Sequence, residues 1–401
     1  MQQKRKSIFI ISFSTIRGDS RVLRQIQYFS QYFDVTVMGY GEPHPMWKNK
    51  EHVRWLTALP ISPDGSLRGR ITRLANRALL VSGKLYSGSY HRLYWNQLAF
   101  RDALAKAVAS GCDAFHANDW NALPIAVEAA KKLGGRVVFD AHEYAPLEFE
   151  QRSEWLIFLS PMIKYTLRRY ALQADATITV APAIAQRYRQ EFGMNPRVVL
   201  NAPASVELSN GSKDFSQIRL IYHGCAQKGR RIEDIIETIA LCDRRYSLHF
   251  MLTGDAPYFQ ELKELGDNLA PGRIVFHKSV LPEDVARQIS AFDVGFCFIP
   301  PTSYSWLFSL PNKFFECIAA HLPVCIGPSP SMAEIVRSYQ LGCIAPTFEP
   351  RDIAATLNQL NTEQLVSMRS GAREAAREIN AEVEMGKVIE IYKELLSEDN
   401  R

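Results

Sequence analysis

The sequence predicts an α/β protein of two similar domains, each built on a doubly wound parallel sheet. Three observations support this prediction. Apolar runs of strand length alternate with longer segments of helical period, the alternation restarts after a polar segment at 206–214, and 401 residues suffice for two or three domains. Apolar residues make up 47% of the chain, enough for sizeable cores, so a disordered or fibrous class is excluded.

The first strand is predicted at Ser7–Phe13, a short apolar run that follows a basic hexapeptide. This order imitates a secretory signal, but charged residues follow directly and no small-residue cleavage site is present. A buried strand explains the run better. No run approaches the ~20 apolar residues of a membrane-spanning helix. We therefore expect a cytoplasmic protein, either free or peripheral on the inner face of the membrane.

The first half of the chain has six predicted strands and three predicted helices. The strands are Ser7–Phe13, Asp34–Tyr40, Asp113–Ala117, Gly135–Asp140, Asp175–Val180 and Arg197–Leu200. The helices are Ser20–Gln31, Asn121–Leu133 and Pro161–Gln173. In such a sheet, ligands bind at the carboxyl ends of the strands.

The second half repeats the pattern after the linker at 206–214. Its strands are Ile218–His223, Ser247–Thr253, Arg273–His277, Phe292–Phe298 and Pro323–Ile326. Its helices are Ile232–Cys242, Tyr258–Leu269, Pro282–Ala291, Lys313–Ala320 and Ala333–Tyr339. We place the first domain at 1–205 and the second at 216–377. The amphipathic segment Glu382–Leu396, within 378–401, is a candidate helix that packs back on the first domain.

Charge and cysteine spacing exclude several classes of function. The chain has 47 Lys and Arg against 42 Asp and Glu, a net charge of +5, so binding to nucleic acid by charge alone is not expected. The seven cysteines are scattered and never form Cys-x-x-Cys, and His-Glu-x-x-His is absent. We therefore expect no metal, and we interpret the cysteines as core residues of a reducing compartment.

A basic segment at 65–101 contains no Asp or Glu, and Leu, Tyr and Trp are interleaved with its cations. One interpretation is a helical insertion with a solvated basic face. The other is a docking surface for an anionic membrane or a lipid diphosphate. In the second interpretation the phosphate-binding cations are Arg68, Arg70, Arg73, Arg77, Lys84 and Arg92, and the residues against apolar chains are Leu80, Tyr86, Tyr94 and Trp95.

Polar residues follow three strands of the first half. Gly18 stands before the first helix, where it lets the backbone approach an anion, and Asp19 is either part of that site or a helix cap. The next two clusters are 116–120, His-Ala-Asn-Asp-Trp, and 140–146, Asp-Ala-His-Glu-Tyr-Ala-Pro. Because Gly-x-Gly-x-x-Gly is absent, a nicotinamide or flavin enzyme loses its best support.

Two segments of the second half are suited to phosphate and sugar. The loop at 222–231, Tyr-His-Gly-Cys-Ala-Gln-Lys-Gly-Arg-Arg, combines two glycines with three cations, although it is not a Walker loop. The second segment is the start of a helix near Asn312, after Pro311, where backbone amides without helical partners are exposed. Glu316 follows one turn later on an apolar face, where a sugar or ribose hydroxyl, or alternatively Lys313, can satisfy its carboxylate.

With these motifs, the chain resembles the GT-B glycosyltransferases, and among them the retaining glycosyltransferase family 4 enzymes that build bacterial surface polysaccharides. The resemblance spans nearly the whole chain. It depends on 311–316 (Pro-Asn-Lys-Phe-Phe-Glu), 319–324 (Ala-Ala-His-Leu-Pro-Val), Gly224 with Arg230, and the two polar clusters of the first half. It implies two Rossmann-like domains that face a central cleft, a nucleotide-sugar held by the second domain and a glycan or lipid-linked acceptor held by the first.

The resemblance also implies roles for individual residues. Arg230 neutralises the diphosphate of the donor, with Lys228 or Arg231 as a helper, and His142 contacts the donor sugar as part of the catalytic set. Glu316 takes the ribose hydroxyls. The remaining donor-binding positions are Gly18, Asp19, Gly224, Gly254, His277, Val280, Ser309, Leu310, Asn312 and Lys313. The nucleotide-sugar is a co-substrate, and no cofactor or metal is expected.

Two departures from the family pattern leave alternatives open. Phe308 stands where many members have the first carboxylate of Glu-x7-Glu, and Cys225 stands where many have an arginine. One alternative is a catalytically inactive GT-B scaffold that serves as a partner subunit. Another is a nucleotide-sugar epimerase, for which Asp119 and Glu143 are the candidate acid and base.

Overall fold

The computed structural model describes residues 5–43, 47, 50–61, 67–208, 214–254 and 256–397. The predicted linker at 206–214 lies largely outside these residues. The chain divides into two compact units. Unit 1 comprises residues up to Val199, Ser303–Ser305 and residues from Met385 onward, and unit 2 comprises Leu200–Thr302 and Trp306–Glu384.

Seven parallel strands form the sheet of unit 1, in the order β3-β2-β1-β4-β5-β6-β7. The strands are β1 Ser7–Thr15, β2 Asp34–Tyr40, β3 Val53–Thr57, β4 Ala114–Asn118, β5 Arg136–Asp140, β6 Ala176–Thr179 and β7 Arg197–Val198. The six predicted strands are all present. The sequence prediction missed β3, because this edge strand is partly exposed and lacks the continuous apolar run of a buried strand.

Helices cover the sheet of unit 1, and the central strand β1 is buried beneath them over Ile8–Ile11. The helices of this part of the chain are α1 Ser20–Phe29, α2 Leu67–Ser82, α3 Gly88–Asn96, α4 Leu98–Ser110, α5 Leu123–Leu133, α6 Ser160–Tyr170 and α7 Pro182–Phe192. A π-helical turn at Trp155–Leu159 leads into α6.

Six parallel strands form the sheet of unit 2, in the order β10-β9-β8-β11-β12-β13. They are β8 Ile218–Ala226, β9 Tyr246–Gly254, β10 Ile274–His277, β11 Val294–Cys297, β12 Val324–Ile326 and β13 Gly342–Ile344. The five predicted strands are present. The sixth, β13, has only three residues and begins with a glycine, so it gives a weak sequence signal.

The remaining helices complete the element order. They are α8 Ile232–Leu241, α9 Ala256–Leu269, α10 Val285–Ile289, α11 Tyr304–Leu307, α12 Asn312–Ala319, α13 Pro330–Tyr339, α14 Pro350–Asn358, α15 Thr362–Glu378 and α16 Ala381–Leu395. The core of unit 2 lies between α8, α14 and the strands β8, β9 and β11. The α/β class and the two parallel sheets predicted from the sequence are confirmed.

The last helix, α16, joins unit 1 through its second half. The Tyr392 hydroxyl lies 2.7 Å from Nδ1 of His116, which is buried on β4. The Tyr392 ring also packs edge-on against Phe29 and Phe33, at 5.3 and 5.7 Å between ring centres. A residue far along the chain therefore completes the core of the first sheet.

The seven cysteines are free thiols. Six are buried and Cys225 is half-buried. Cys297 and Cys317 pack with their sulfur atoms 3.8 Å apart, and this contact and burial raise the pKa of the Cys317 thiol. The interpretation of these cysteines as small core residues agrees with their positions.

Two glycines inside helices offer a matched test of the packing. A Cβ at Gly371 in α15 would lie 2.0 Å from the Tyr339 carbonyl oxygen, whereas a Cβ at Gly386 in α16 would meet nothing within 4 Å. We expect Gly371→Ala to lower the free energy of unfolding by about 2 kcal/mol, because backbone must move. Gly386→Ala should raise it by about 0.5–1 kcal/mol through helix propensity. Urea unfolding measures both, and equal effects would contradict the packing.

Candidate functional site

A buried ion pair lies at the carboxyl edge of the unit 1 sheet. Arg21 on α1 donates from Nε and Nη2 to the two oxygens of Asp140 at 2.7 and 2.9 Å, and from Nη1 to the Val199 carbonyl at 3.0 Å. Gln25 donates to Asp140 at 2.8 Å and exchanges two hydrogen bonds with Asn118. The end of β5 is thus fixed to α1 by charge-assisted contacts.

The charges around Asp140 settle its protonation state. Burial alone would raise the pKa of this carboxyl, but Arg21, His142 and His116 together hold it well below its ordinary value. Nε2 of His116 lies 3.7 Å from Asp140, and burial lowers the pKa of His116. Asp140 is therefore an anion at neutral pH.

His142, a predicted catalytic residue, lies between two carboxylates. Its Nδ1 is 3.5 Å from Asp119 and its Nε2 is 4.0 Å from Asp140. Burial alone would lower the pKa of His142, but these two carboxylates raise it to about 9. Asp119 reaches this position from a left-handed backbone conformation, with φ of 67°. The imidazole is therefore a cation at neutral pH, suited to an anionic or hydroxyl-rich ligand.

Two further carboxylates, Glu143 and Glu148, belong to the same electrostatic cluster. Burial, Asp119 and Glu143 raise the pKa of Glu148 to about 8. Burial and Asp119 also raise the pKa of Glu143, against the opposing effect of His142. A group whose pKa lies near neutrality can accept or release a proton at little cost.

The loop after β1 places Gly18 and Asp19 directly before α1. The Asp19 carboxylate accepts from the backbone N–H groups of Arg21 and Val22 at 3.2 and 3.1 Å and from the Ser14 hydroxyl at 2.7 Å. Asp19 is therefore the N-cap of α1, as in the structural alternative for this residue. A Cβ at Gly18 would meet no atom of the described residues within 4 Å, so the backbone there is open among them.

In unit 2, residues 224–231 comprise the end of β8 and the turn that follows it, and we call this segment the Gly224 loop. It has two glycines in the positive-φ region, Gly224 at 114° within the strand and Gly229 at 96° after it. Arg230 donates to the Cys225 carbonyl at 3.4 Å and lies 6.0 Å from the Trp306 ring centre. Its buried Nε has no hydrogen-bond partner in the described part of the chain. Arg230 is thus attached only weakly to the loop, and its guanidinium can turn toward a ligand.

The other two loop cations are engaged by carboxylates. Lys228 contacts Glu261 at 2.8 Å. Arg231, whose φ is 52°, forms ion pairs with Asp234 and, at 3.7 Å, with Glu349. A phosphate at this loop would compete with those pairs.

Helix α12 brings its first turn to the same edge of the sheet. Glu316 accepts a hydrogen bond at Oε2 from Nε2 of His223 at 2.7 Å, so its partner is the histidine near the end of β8 rather than Lys313. The second oxygen, Oε1, has no hydrogen bond within the described residues. Asn312 accepts from Asn201 at 2.6 Å. The carboxylate is held in one orientation with one oxygen available to a ligand.

The remaining predicted donor residues lie in unit 2 at different depths. Leu310 is buried, and the Ser309 hydroxyl donates to the Trp306 carbonyl at 2.9 Å. Gly254 ends β9 with φ of 123°, where a Cβ would lie 2.9 Å from the Ala226 carbonyl oxygen. His277 is exposed and stacks on His249 at 5.1 Å, and Val280 is half-buried. The contact with Ala226 places Gly254 against β8, the strand that contains Gly224.

The functional positions of Arg21, Gln25 and His223 do not follow from the sequence alone. Arg21 and Gln25 find their partner 119 and 115 residues away, so no local pattern reveals them. His223 has a usable signal, because it stands directly before the loop glycine at a strand end. We now add all three to the candidate site.

One residue of the proposed membrane surface was misassigned. Tyr94 is only 2% exposed, stacks on Phe100 at 4.2 Å between ring centres and donates to the Asn121 carbonyl at 2.5 Å. The prediction that it lies against lipid chains is therefore wrong, because helical packing turns it into the core. The side chains of Arg68 and Arg70 lie outside those that the structure describes.

The described residues contain no group of three or more His, Cys, Asp or Glu side chains that could hold a metal ion. Among the helices described, none has both the length and the apolar character that crossing a bilayer requires. Together, the fold and the cations, carboxylates and amides of the site define a two-domain α/β protein with a phosphate-type loop in its second unit.

Family models and solved structures give the class a name. Residues 30–202 match the model described as Glycosyltransferase Family 4, and residues 217–363 match the one described as Glycosyl transferases group 1. The two models together span most of the chain, which belongs to the glycosyltransferases and has the GT-B fold. The protein is an enzyme of this class. Among curated protein sequences, no relative matches it.

Three solved structures illustrate the likeness. HepE from Anabaena, in complex with UDP and glucose, is 16% identical with a TM-score of 0.65, over 97% of this chain and 100% of that one. Sucrose-phosphate synthase from Thermosynechococcus elongatus is 15% identical with a TM-score of 0.69, over 98% and 99%. WaaG, a glycosyltransferase involved in lipopolysaccharide biosynthesis, is 14% identical with a TM-score of 0.58, over 96% and 99%. At these identities the likeness extends to the fold.

The charge on His142 predicts a pH dependence of stability. The folded-state pKa of about 9 lies above the ordinary value of 6.5, so the stabilisation is complete below pH 6.5 and is lost as the pH rises through 9. We expect His142→Gln to remove this decline, as urea unfolding at pH 6.5 and at pH 9 would show.

Asp119→Asn, which tolerates the same backbone conformation, should lower the pKa of His142 in an NMR titration. An unchanged pKa would contradict the pairing.

Proposed function

We propose that the enzyme transfers a sugar from a nucleoside-diphosphate sugar to a hydroxyl of a glycan or lipid-linked acceptor, with retention of configuration and without a metal. The synthesis of a surface polysaccharide or glycolipid is the setting that fits this chemistry. The observation that carries the proposal is the meeting, at one edge of the unit 2 sheet, of the Gly224 loop, the first turn of α12 and the oriented Glu316 carboxylate.

Each part of this edge matches one part of a nucleoside diphosphate sugar. Open amides and a glycine with φ of 114° suit a diphosphate, because backbone can approach its oxygens closely. Oε1 of Glu316 can accept from a ribose hydroxyl while His223 holds Oε2. The published complexes of HepE with UDP and with UDP-glucose support a uridine donor as the first candidate.

In the proposed reaction, the bond between the anomeric carbon and the phosphate oxygen breaks, and its electron pair stays on the diphosphate. The acceptor oxygen bonds the anomeric carbon from the same face, and its proton passes to a diphosphate oxygen. Negative charge grows on the leaving group, so fixed cations such as Arg230 stabilise the transition state more than the ground state. Inversion at the anomeric carbon, seen by product NMR, would contradict retention.

Binding of UDP tests the donor site. A ligand that binds the folded state raises the thermal midpoint, so we expect UDP to stabilise the protein more than UMP or uridine. Arg230→Ala should weaken UDP binding by about tenfold or more, through loss of a charge-assisted contact. Glu316→Ala should remove the preference for UDP over its 2′,3′-dideoxy analogue, and Glu316→Gln should reduce it.

Arg351→Ala and Glu363→Ala are the matched controls, because both residues are exposed in unit 2 outside the site. They should bind UDP as the wild type does. No stabilisation by any nucleoside diphosphate or its sugar would favour the inactive scaffold. Turnover of the donor to an isomerised sugar without an acceptor would favour the epimerase.

We also propose that the acceptor side of unit 1 meets an anionic membrane through α2, α3 and the turn between them. The apolar side chains exposed there include Leu85 at 96%, Tyr86 at 70% and Leu74 at 66%. Arg73, Arg77, Lys84 and Arg92 are exposed beside them. Large exposed apolar side chains among exposed cations are typical of a surface that enters the headgroup region.

Vesicle co-sedimentation tests this surface. We expect binding to vesicles that contain phosphatidylglycerol, weakening with added salt, and little binding to pure phosphatidylcholine. The double variant Lys84→Ser with Leu85→Ser should weaken binding by about tenfold or more. Lys132→Ser with Leu133→Ser alters the same residue pair on α5 and should change nothing. Equal binding by both double variants would overturn the assignment.

A further inference from the structure

Lys313, in the first turn of α12, has a buried amine that no carboxylate of the described residues neutralises. The residue is 7% exposed, and its Nζ lies 3.7 Å from the centre of the Tyr222 ring. Within the described residues, Nζ has neither a hydrogen-bond partner nor a carboxylate within ion-pair distance. Glu316, one turn further along the helix, pairs with His223 instead.

This arrangement is costly for the protein alone. An ammonium group that leaves water loses several kcal/mol of hydration, which a carboxylate or several hydrogen bonds normally restore. The face of an aromatic ring returns about 2 kcal/mol at best. The rest of the lost hydration free energy is recovered only when a group from outside the chain supplies negative charge.

The space beside Nζ is kept open by a glycine. A Cβ at Gly224 would lie 3.7 Å from Cε and 3.9 Å from Nζ of Lys313. The φ of 114° at Gly224 disfavours every other residue type there. Lys313 also stands in the first turn of α12, where the Phe314 N–H is bonded to the Pro311 carbonyl at 3.0 Å.

The neighbouring cations differ from Lys313 in one respect. Lys228 and Arg231 are exposed to solvent and form ion pairs with Glu261 and Asp234. An incoming anion would have to displace those carboxylates. Among the residues that the structure describes, no carboxylate competes in this way for the amine of Lys313. The amine is also already desolvated, so its attraction to an anion is stronger than that of a surface cation.

We propose that Lys313 is the counter-charge of a phosphate group bound above Gly224. The inference extends the proposed function: in the transfer reaction, Lys313 contacts the diphosphate oxygen that gains charge as the sugar departs. Lys313 is then a catalytic residue. It takes the role of the cation that assists Arg230, which was predicted for Lys228 or Arg231. The same residue destabilises the ligand-free enzyme.

Lys313→Met tests both effects, since methionine keeps most of the apolar stem and removes the charge. We expect its thermal midpoint without ligand to equal or exceed that of the wild type. Its affinity for UDP and for inorganic pyrophosphate should fall by about tenfold or more in titration calorimetry, while uridine binding stays unchanged. Lys313→Arg should restore most of the pyrophosphate affinity.

Lys393→Met is the matched control, because Lys393 also lies over an aromatic ring, that of Tyr32 at 4.8 Å, outside the site. It should bind both anions as the wild type does. Gly224→Ala is a second variant that fills the space beside Nζ and leaves the lysine in place. It should also weaken pyrophosphate binding.

The outcomes separate this inference from the proposed function. Pyrophosphate binding that depends on Lys313, without binding of any nucleoside diphosphate, would sustain the phosphate site and overturn the nucleotide-sugar donor. Unchanged UDP and pyrophosphate affinity in Lys313→Met and Gly224→Ala would overturn the role of Lys313. A lower midpoint with unchanged affinity would identify Lys313 as a structural residue, which also overturns it.

Discussion

The candidate site depends on one constraint, that every strand pair in both sheets is parallel. Parallel strands end at a common edge, so the loops that follow β1, β4 and β5 meet in unit 1, and those that follow β8 and β9 meet in unit 2. The interiors of such strands are dry, and polar residues collect where the strands end. Asp140 ends β5 and His223 lies near the end of β8, and each organises the charged groups around it.

The elements that the sequence predicted well are those whose burial is continuous. The central strand β1 has an uninterrupted apolar run over Ile8–Ile11, and β8 is buried over 220–223 although Arg219 is exposed. The short strands β3 and β13 were missed because edge position and length remove that signal. Tyr94 shows the opposite error: aromatic residues in a basic segment resemble a membrane surface, but the packing of α3 on its neighbours decides which of them are exposed.

The site could be predicted in outline, since local motifs carry its glycines, the α12 turn and Glu316. The partners of these residues could not be predicted. The alternative of an ion pair between Glu316 and Lys313 follows from their spacing on one helix, yet the strand histidine, close in space and distant in sequence, takes the carboxylate. In unit 1, the charge on His142 depends on two carboxylates from different loops, whose distances no linear pattern encodes.

The contact between Tyr392 and His116 has a consequence for synthesis on the ribosome. The first sheet is complete in sequence at Val198, but the helix that covers Phe29 and Phe33 emerges only after all of unit 2 has been translated. At roughly 5–20 residues per second, the delay is about 10 to 40 s. During that interval the nascent first unit exposes the aromatic surface of Phe29 and Phe33 that Tyr392 later covers.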